Sequence, residues 1–406
     1  MELSTILEVT MTTHTSFNRL LNIELPLRQS AFLWGARKTG KSTYLKARFQ
    51  GAVVYDLLHS DLYVRLLKAP YVLREEILAL SPEQLKMPVI IDEVQKIPAL
   101  MDEVHWLIEN TEAQFILCGS SARKLKRSGA NLLGGRAWKY TFYPLTFAEV
   151  PELDLLRAFN HGLIPSHYLT QNPRRSLKAY LEDYLLEEIK AEGLTRNLPA
   201  FARFLDAAAF SNGALVNYAN IARDSHVDVK TVKEYYQILI DTLIGYCLNP
   251  FSPRGGRETV SATPKFYFFD VGVALALQHR TIALLKGSEA GEAFEHFILM
   301  ELMAYKGLFN PDVALHFWRT KTGLEVDFVL GQAEVAIEVK ISENPALQDV
   351  KGLSAFAEEH PLCQCYVVAL LPRARQVGRI RFVPWQTFLT DLWAHRIISP
   401  SPENMN

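Results

Sequence analysis

Two stretches of the chain carry residues whose types and spacing can do chemistry. Residues 31–43 read AFLWGARKTGKST, an apolar run, a glycine-bounded turn and a Lys-Ser-Thr start to a helix. This is the GxxxxGK[ST] spacing in the strand-loop-helix setting that binds nucleotide phosphates. Gly35 and Gly40 let the backbone approach the phosphates and turn its N–H groups inward, where a Cβ would interfere. Along Gly35, Ala36, Arg37, Lys38, Thr39 and Gly40 the main chain is the cradle, and Thr43 continues the helix that follows. Lys41 reaches the β and γ phosphates of ATP, and Ser42 ligates Mg2+. The second stretch, EVDFVLGQAEVAIEVK at 325–340, sets Asp327, Glu338 and Lys340 into two strand-like runs. With Gly331 and Gln332 as the turn, Asp327 pairs with Ala336 and Glu325 with Glu338. Alternation then puts these acids and Lys340 on one face, and Val326, Phe328, Val335, Ile337 and Val339 on the other. Asp327 and Glu338 become diagonal neighbours about 7–8 Å apart, within reach of one shared Mg2+ or Mn2+. Two carboxylates, a metal-activated water and a lysine that offsets developing charge suit phosphodiester hydrolysis. Glu295, on the amphipathic segment GEAFEHFILMEL (291–302), supplies a third metal-binding carboxylate, with Glu292 as its substitute if the helix is rotated. A solvated hairpin face, with Glu338 and Lys340 as mere neighbours, is the competing reading.

The phosphate loop calls for partners on neighbouring strands. In MPVIIDEVQKIP (87–98), Val89, Ile90 and Ile91 form a buried parallel-type strand ending in two acids. Ligands in such sheets sit beyond the strand carboxyl ends. Asp92 is therefore placed to hold Mg2+ through water, and Glu93 to polarise the attacking water. AQFILCGSS (113–121) is another strand ending in hydroxyls, where Ser120 or Ser121 senses the γ-phosphate or simply closes a turn. Arg136 stands just before a strand over 138–142.

In this order, the GxRxxGKS loop, the DEVQKIP strand, the GSSARKL turn and the GR before the last strand resemble AAA-type ATPases of the archaeal-ATPase kind. The likeness covers about residues 15–150, and DEVQKIP is its sharpest match. It implies a sheet order of 5-1-4-3-2, and Arg136 as an arginine finger toward a neighbouring subunit of a homo-oligomer. Relatives often carry proline and glutamine where this loop has Ala36 and Lys38. The succession of a Glu295 helix, an Asp327 strand and a Glu338-x-Lys340 strand resembles the restriction-endonuclease-like PD-(D/E)xK superfamily over 285–390. FWRTKTGLEVDFVL (317–330) is similar to the carboxyl-terminal domain usually fused to this ATPase type, although Val326 stands where proline precedes the first acid.

Between these parts the pattern turns helical, as in LKAYLEDYLLEEI (177–189). Residues 215–251 read as helix-turn-helix followed by wing strands, with Asp228 capping the second helix. Lys230, Thr231 and Lys233 on that helix, with the arginines of PRGGRE (253–258), either contact DNA or decorate a packing module. PRARQVGRIRF (372–382) lies along a phosphate backbone or forms a charged hairpin, and Phe317 and Trp318 stack on bases or pack in the core.

The composition bounds these readings. At 49% hydrophobic and 21% charged residues the chain is globular, and a net charge of -1 gives no global field for nucleic acid. Cys118, Cys247, Cys363 and Cys365 have neither disulfide-framework nor zinc spacing, which suits a cytoplasmic protein. No apolar run approaches the ~18 residues of a membrane span. The expected fold class is α/β: an AAA-type P-loop ATPase domain over 1–150, a helical lid or linker over 151–208, a winged helix over 209–270 and a restriction-endonuclease-like α/β domain over 271–406. Three functions fit: an ATPase controlling a metal-dependent DNA nuclease, an ATPase whose nuclease-like part only binds, and an NTPase switch with protein partners.

Overall fold

A computed structural model describes residues 17–121, 123, 125, 133–185, 197–251 and 263–402. The PRGGRE arginines, residues 186–189 of the expected helix and the first 16 residues lie outside them.

The first sheet is parallel and has the order β2-β3-β4-β1-β5, built from β1 (Ser30–Trp34), β2 (Val54–Asp56), β3 (Val89–Asp92), β4 (Phe115–Gly119) and β5 (Ala137–Thr141). Read from the other edge, this is the expected 5-1-4-3-2. β1, β3 and β4 are buried along their whole length, as strands covered on both faces must be. One face carries α1 (Lys41–Arg48); the other packs Phe32, Ile91 and Leu117 against α2 (Ser60–Lys68), α3 (Tyr71–Leu78) and α4 (Leu100–Asn110). The carboxyl ends come level, with Trp34 beside Gly119 and Asp92 beside Cys118.

Helices α5 (Leu155–His161), α6 (Pro165–Leu169), α7 (Pro173–Ala179), α8 (Leu198–Phe210), α9 (Tyr218–Ser225) and α10 (Val229–Asp241) follow, with a π-helical turn at Tyr180–Leu185. Side-chain caps start several of them: Asp154 accepts from the Arg157 N–H, Asn197 from Ala200, Asn217 from Asn220 and Asp228 from Thr231.

The second sheet has the order β12-β13-β11-β10-β9-β8-β6-β7. Its strands are β6 (Gly245–Pro250), β7 (Lys265–Phe268), β8 (Leu315–Arg319), β9 (Glu325–Leu330), β10 (Val335–Lys340), β11 (Gln364–Ala369), β12 (Arg375–Val377) and β13 (Ile380–Pro384). The helices that follow α10 are α11 (Val271–Leu277), α12 (Gly287–Phe309), α13 (Lys351–Glu359) and α14 (Trp385–Trp393). α12 and α14 cover one face, while α13 covers the other. β6 and β7, expected as a wing, pair antiparallel but form an edge of this sheet, because β6 runs parallel to β8 through Asn249–His316 and Pro250–Phe317. Hydrogen bonding thus crosses the seam expected at residue 270.

The hairpin differs from its expected register. Its loop has four residues, Gly331 to Glu334, so Leu330 pairs with Val335 and Phe328 with Ile337. The shift of two preserves the faces, but a bulge does not. β8 and β9 pair at His316–Val329 and next at Trp318–Val326, which gives β9 one extra residue across Asp327–Phe328. Val326 consequently joins Val329 and Ala336 in the core under α13, whereas Phe328, Ile337 and Val339 face α12. Neither face is left to solvent, so Asp327 and Glu338 are buried rather than arrayed on a wet surface. Phe317 and Trp318 are core residues at 1% and 0% exposure, which removes them as stacking platforms. The 372–382 stretch is the β12–β13 hairpin, turned at Gly378.

Candidate functional site

The phosphate loop leaves β1 at Gly35, where a Cβ would lie 2.4 Å from the Phe142 carbonyl oxygen, and enters α1 through Gly40 at φ +99°. Both glycines are therefore required by the backbone itself. Lys38 also has positive φ, and the Thr39 hydroxyl donates to the Ala36 carbonyl at 2.8 Å, which tightens the turn. Lys41 Nζ donates to the carbonyls of Gly35 (2.6 Å) and Ala36 (2.9 Å), holding its charge over the concave side of the loop. Thr43 lies in the first turn of α1 and lines a cleft of about 530 Å³ with Asn18, Leu20, Tyr44 and Ala47.

Across the strand ends, the Ser42 hydroxyl donates to Asp92 Oδ2 at 2.6 Å. A hydroxyl and a carboxylate meeting at the phosphate loop form a pair of hard oxygen donors suited to Mg2+. Glu93 follows in left-handed backbone (φ 58°), and one of its oxygens accepts from Gln95 Nε2 at 2.6 Å and lies 3.9 Å from Arg37. Gln95 also donates to Ser120 Oγ at 3.2 Å, so one amide ties the β3 acid to the β4 hydroxyl. Gly119 makes room for it, since a Cβ there would fall 2.1 Å from Gln95 Oε1. Ser121 points away: its hydroxyl donates to the Asp241 carbonyl at the end of α10 (3.0 Å), and Arg123 forms an ion pair with the Asp241 carboxylate.

Sequence reasoning missed Gln95, although it lies inside the DEVQKIP motif, and it missed Arg19. The Arg19 guanidinium donates to the Thr39 carbonyl (2.9 Å), pairs with Glu149 (3.0 Å) and stacks 4.1 Å from the Phe142 ring centroid. Arg136 sits at the amino end of β5, the opposite end of the sheet from the loop, and pairs with Glu109.

In the second sheet the bulge brings Asp327 to Glu338. Asp327 Oδ2 accepts from the Val339 N–H at 2.7 Å, and Lys340 Nζ lies 2.6 Å from Glu338 Oε1. Glu338 Oε2 is buried with no hydrogen-bond partner among the described residues. Burial, reinforced by Glu338 and Glu295, pushes the Asp327 carboxyl well above the ordinary carboxylate range. Burial also raises Glu338 to about 6, against the pull of Lys340.

Glu295 does face this cluster, whereas Glu292 turns to Arg280 at 3.5 Å. Glu295 is held by Lys265 Nζ at 3.1 Å and by the Tyr267 hydroxyl at 2.5 Å, both from β7. Lys265 reaches Glu325 at 2.6 Å as well. Burial opposes the Lys265 charge, yet Glu295, Tyr267, Glu325 and Asp327 outweigh it and hold its pKa well above normal. The structure brings Glu295, Asp327 and Glu338 into one electrostatic neighbourhood. Among the described residues no three acid, histidine or cysteine side chains are grouped to hold a metal ion. A lysine, Lys265, pairs instead with Glu295 and Glu325. Its only sequence signal is the one charge that opens the apolar run KFYFF.

Residues 27–151 match the family described as AAA domain. The segment that carries the amino-terminal sheet and its phosphate loop is thus similar to an AAA-type P-loop ATPase domain. Beyond this ATPase domain, residues 152–283 and 290–388 match two domains of unknown function, DUF8612 and DUF4143. Uncharacterized proteins of Mycobacterium bovis and Mycobacterium tuberculosis are each 27% identical over 270 residues, 64% of this chain and 60% of theirs. The chain thus spans 60% of the length of these curated relatives. A Haemophilus influenzae protein is 22% identical over 64% of this chain and 66% of its own length. Among solved structures, the Aeropyrum pernix ORC1 protein in complex with DNA aligns at TM-score 0.27 and 16% identity, over 63% of this chain and 87% of that one. A Pyrococcus horikoshii signal-transduction ATPase with a tetratricopeptide repeat sensor aligns at 0.18 and 11% identity, over 68% of this chain and 43% of that one. No helix among the described residues is long and apolar enough to cross a membrane.

Proposed function

We propose that the protein is an ATP-hydrolysing switch that transmits its nucleotide state from the phosphate loop to the helices and second sheet. The observation carrying this reading is the chain Ser42–Asp92, Glu93–Gln95–Ser120, strung across the strand ends beside the loop. The loop N–H groups receive the phosphates, and Lys41 moves its ammonium from the Gly35 and Ala36 carbonyls to the β and γ oxygens. Ser42 and Asp92 would hold Mg2+, which when bound would supply charge neutralisation on those oxygens. Glu93 polarises the attacking water, Gln95 fixes the carboxylate that does so, and Ser120 reports the γ-phosphate through the same amide. The adenosine end fits the cleft beside Thr43 and Tyr44.

Arg136 is too far along the sheet to serve its own loop, so it serves a neighbouring copy in a homo-oligomer. The Ser121 and Arg123 contacts to Asp241 carry the γ-phosphate signal into α10. In the winged-helix reading, α10 presents exposed Lys230 and Lys233 to DNA, with Thr231 beside them. The test is ATP turnover by the purified protein with Mg2+. Hydrolysis lost in both Lys41→Ala and Glu93→Gln supports the reading, and a wild type that neither binds nor hydrolyses ATP overturns it.

A second reading, of a metal-dependent nuclease at Asp327, Glu338 and Lys340, is favoured by the orphaned Glu338 Oε2. The donor set as it stands does not fit Mg2+ or Mn2+, because Lys265 and Lys340 already pair with Glu295 and Glu338.

A further inference from the structure

The carboxylate cluster of the second sheet is nearly neutral without any added ion. Four carboxylates, Glu295, Glu325, Asp327 and Glu338, face three cations, Lys265, Lys340 and Arg319. Lys265 is the innermost cation, 4% exposed, whereas Lys340 is one-third exposed along its side chain and Arg319 somewhat more. Its ammonium bridges the helix α12 (Glu295) to the first residue of β9 (Glu325) and lies 5.4 Å from the Phe317 ring centroid. Glu295 has one oxygen committed to both Lys265 and Tyr267. Of these seven charged side chains, Glu338 alone has a buried atom, Oε2, with no hydrogen-bond partner among the described residues.

We propose that Lys265 is a built-in cation that occupies the carboxylate cluster in place of a divalent ion and keeps such an ion out. An ammonium and a metal ion cannot share the carboxylates cheaply, because two like charges at contact distance in a desolvated site repel strongly. The lysine comes from β7, outside the segment that carries the acids, so access to the cluster depends on where β7 sits. That strand is anchored on both sides: by β6, and by the turn after α8, where the Gly213 N–H donates to the Phe266 carbonyl and the Val216 N–H to the Pro264 carbonyl. Opening the site therefore requires β7 to shift away from α12, which makes Lys265 an autoinhibitory contact between the two parts. The proposal rests on the second reading only for what an opened cluster would do.

The test is Mn2+ binding to the full chain without nucleotide, in an Asp92→Asn background that removes the phosphate-loop ligand. Electron paramagnetic resonance of free Mn2+ reads the bound fraction. Lys265→Gln keeps a hydrogen-bonding head between Glu295 and Glu325, and Lys265→Met is the second neutral variant, each checked for a cooperative thermal melt. The expected result is no ion on the parent protein at millimolar Mn2+. One ion per chain should bind either neutral variant at least tenfold more tightly, and Asp327→Asn should abolish that gain. Lys265→Arg, which keeps the charge, should bind none. An ion on the parent protein that depends on Asp327 and binds as tightly as in the variants overturns the proposal. So does a folded neutral variant that takes up no ion. Nuclease assays on the same variants separate the two readings: ion uptake without cleavage of single-stranded or duplex DNA leaves Lys265 as the resident cation and removes the nuclease.

Discussion

The phosphate loop and the acid cluster of the second sheet each hold a buried lysine beside oxygen atoms, and they use it in opposite ways. Lys41 is bonded to two neutral carbonyls of its own loop, contacts that an incoming phosphate can replace with stronger ones. Lys265 is bonded to two carboxylates from other elements, and nothing neutral can replace it without leaving charge uncompensated. A site that binds a ligand keeps its charge lightly held. A site already neutralised from within behaves as a joint.

The two lysines thus give the widest separation of outcomes. Lys41→Ala should lower ATP affinity by about a hundredfold or more while moving the melting temperature less than a lost charge pair would, since the acceptors it leaves are neutral carbonyls. Lys265→Ala should leave ATP affinity unchanged and destabilise the protein by about 1–2 kcal/mol, less than the loss of a fully buried pair because Glu295 keeps Tyr267 and Glu325 keeps Arg319. Calorimetric titration and thermal melts on both variants decide it, and equal effects on binding would erase the distinction.

Next in size, Glu93→Gln should keep ATP bound and lower kcat by about a hundredfold or more, whereas Gln95→Ala should lower kcat by about tenfold with little change in KM. A Gln95 variant as inactive as Glu93→Gln would mean that the amide touches the reacting water itself. Arg136→Ala should cut hydrolysis and spare binding, and mixing it with Lys41→Ala protein should raise activity above either alone. Co-assembly without recovery would leave Arg136 as a surface partner of Glu109.

The smallest effect expected is on pH dependence. Glu301 on α12 is buried, accepts from the Phe147 N–H at 2.9 Å and from Trp393 Nε1 at 2.7 Å, and is raised by burial to about 8. An acid whose folded pKa lies above its unfolded value binds more protons when folded, so stability falls as pH climbs from the ordinary carboxylate range to about 8. The melting temperature should drop by a few degrees between pH 6 and 8, and Glu301→Gln should flatten that slope.

The phosphate loop, β3 and β4 were legible because their signals are local: fixed spacing around glycine, and apolar runs that stop at acids or hydroxyls. The α12 face was legible too, since Phe294, Phe297, Ile298 and Leu302 orient Glu295 inward and send Glu292 to Arg280. The hairpin register was not. Gly331 and Gln332 satisfy a two-residue turn on paper, but the chain uses four loop residues with both Gly331 and Ala333 at positive φ. The bulge at Asp327 and the arrival of Lys265 depend on pairing with β8 and on β7, contacts distant in sequence that no spacing rule records.

The parallel pairing of β6 with β8 also sets how this chain can be divided. The segments 152–283 and 290–388 match separate families, yet here they share one continuous ladder of hydrogen bonds. A chain cut at residue 270 would bare the edge of β8 and invite strand-to-strand aggregation. It would also strand Glu295 and Glu325 without Lys265. The two segments are therefore expected to fold as one unit, and either expressed without the other should aggregate.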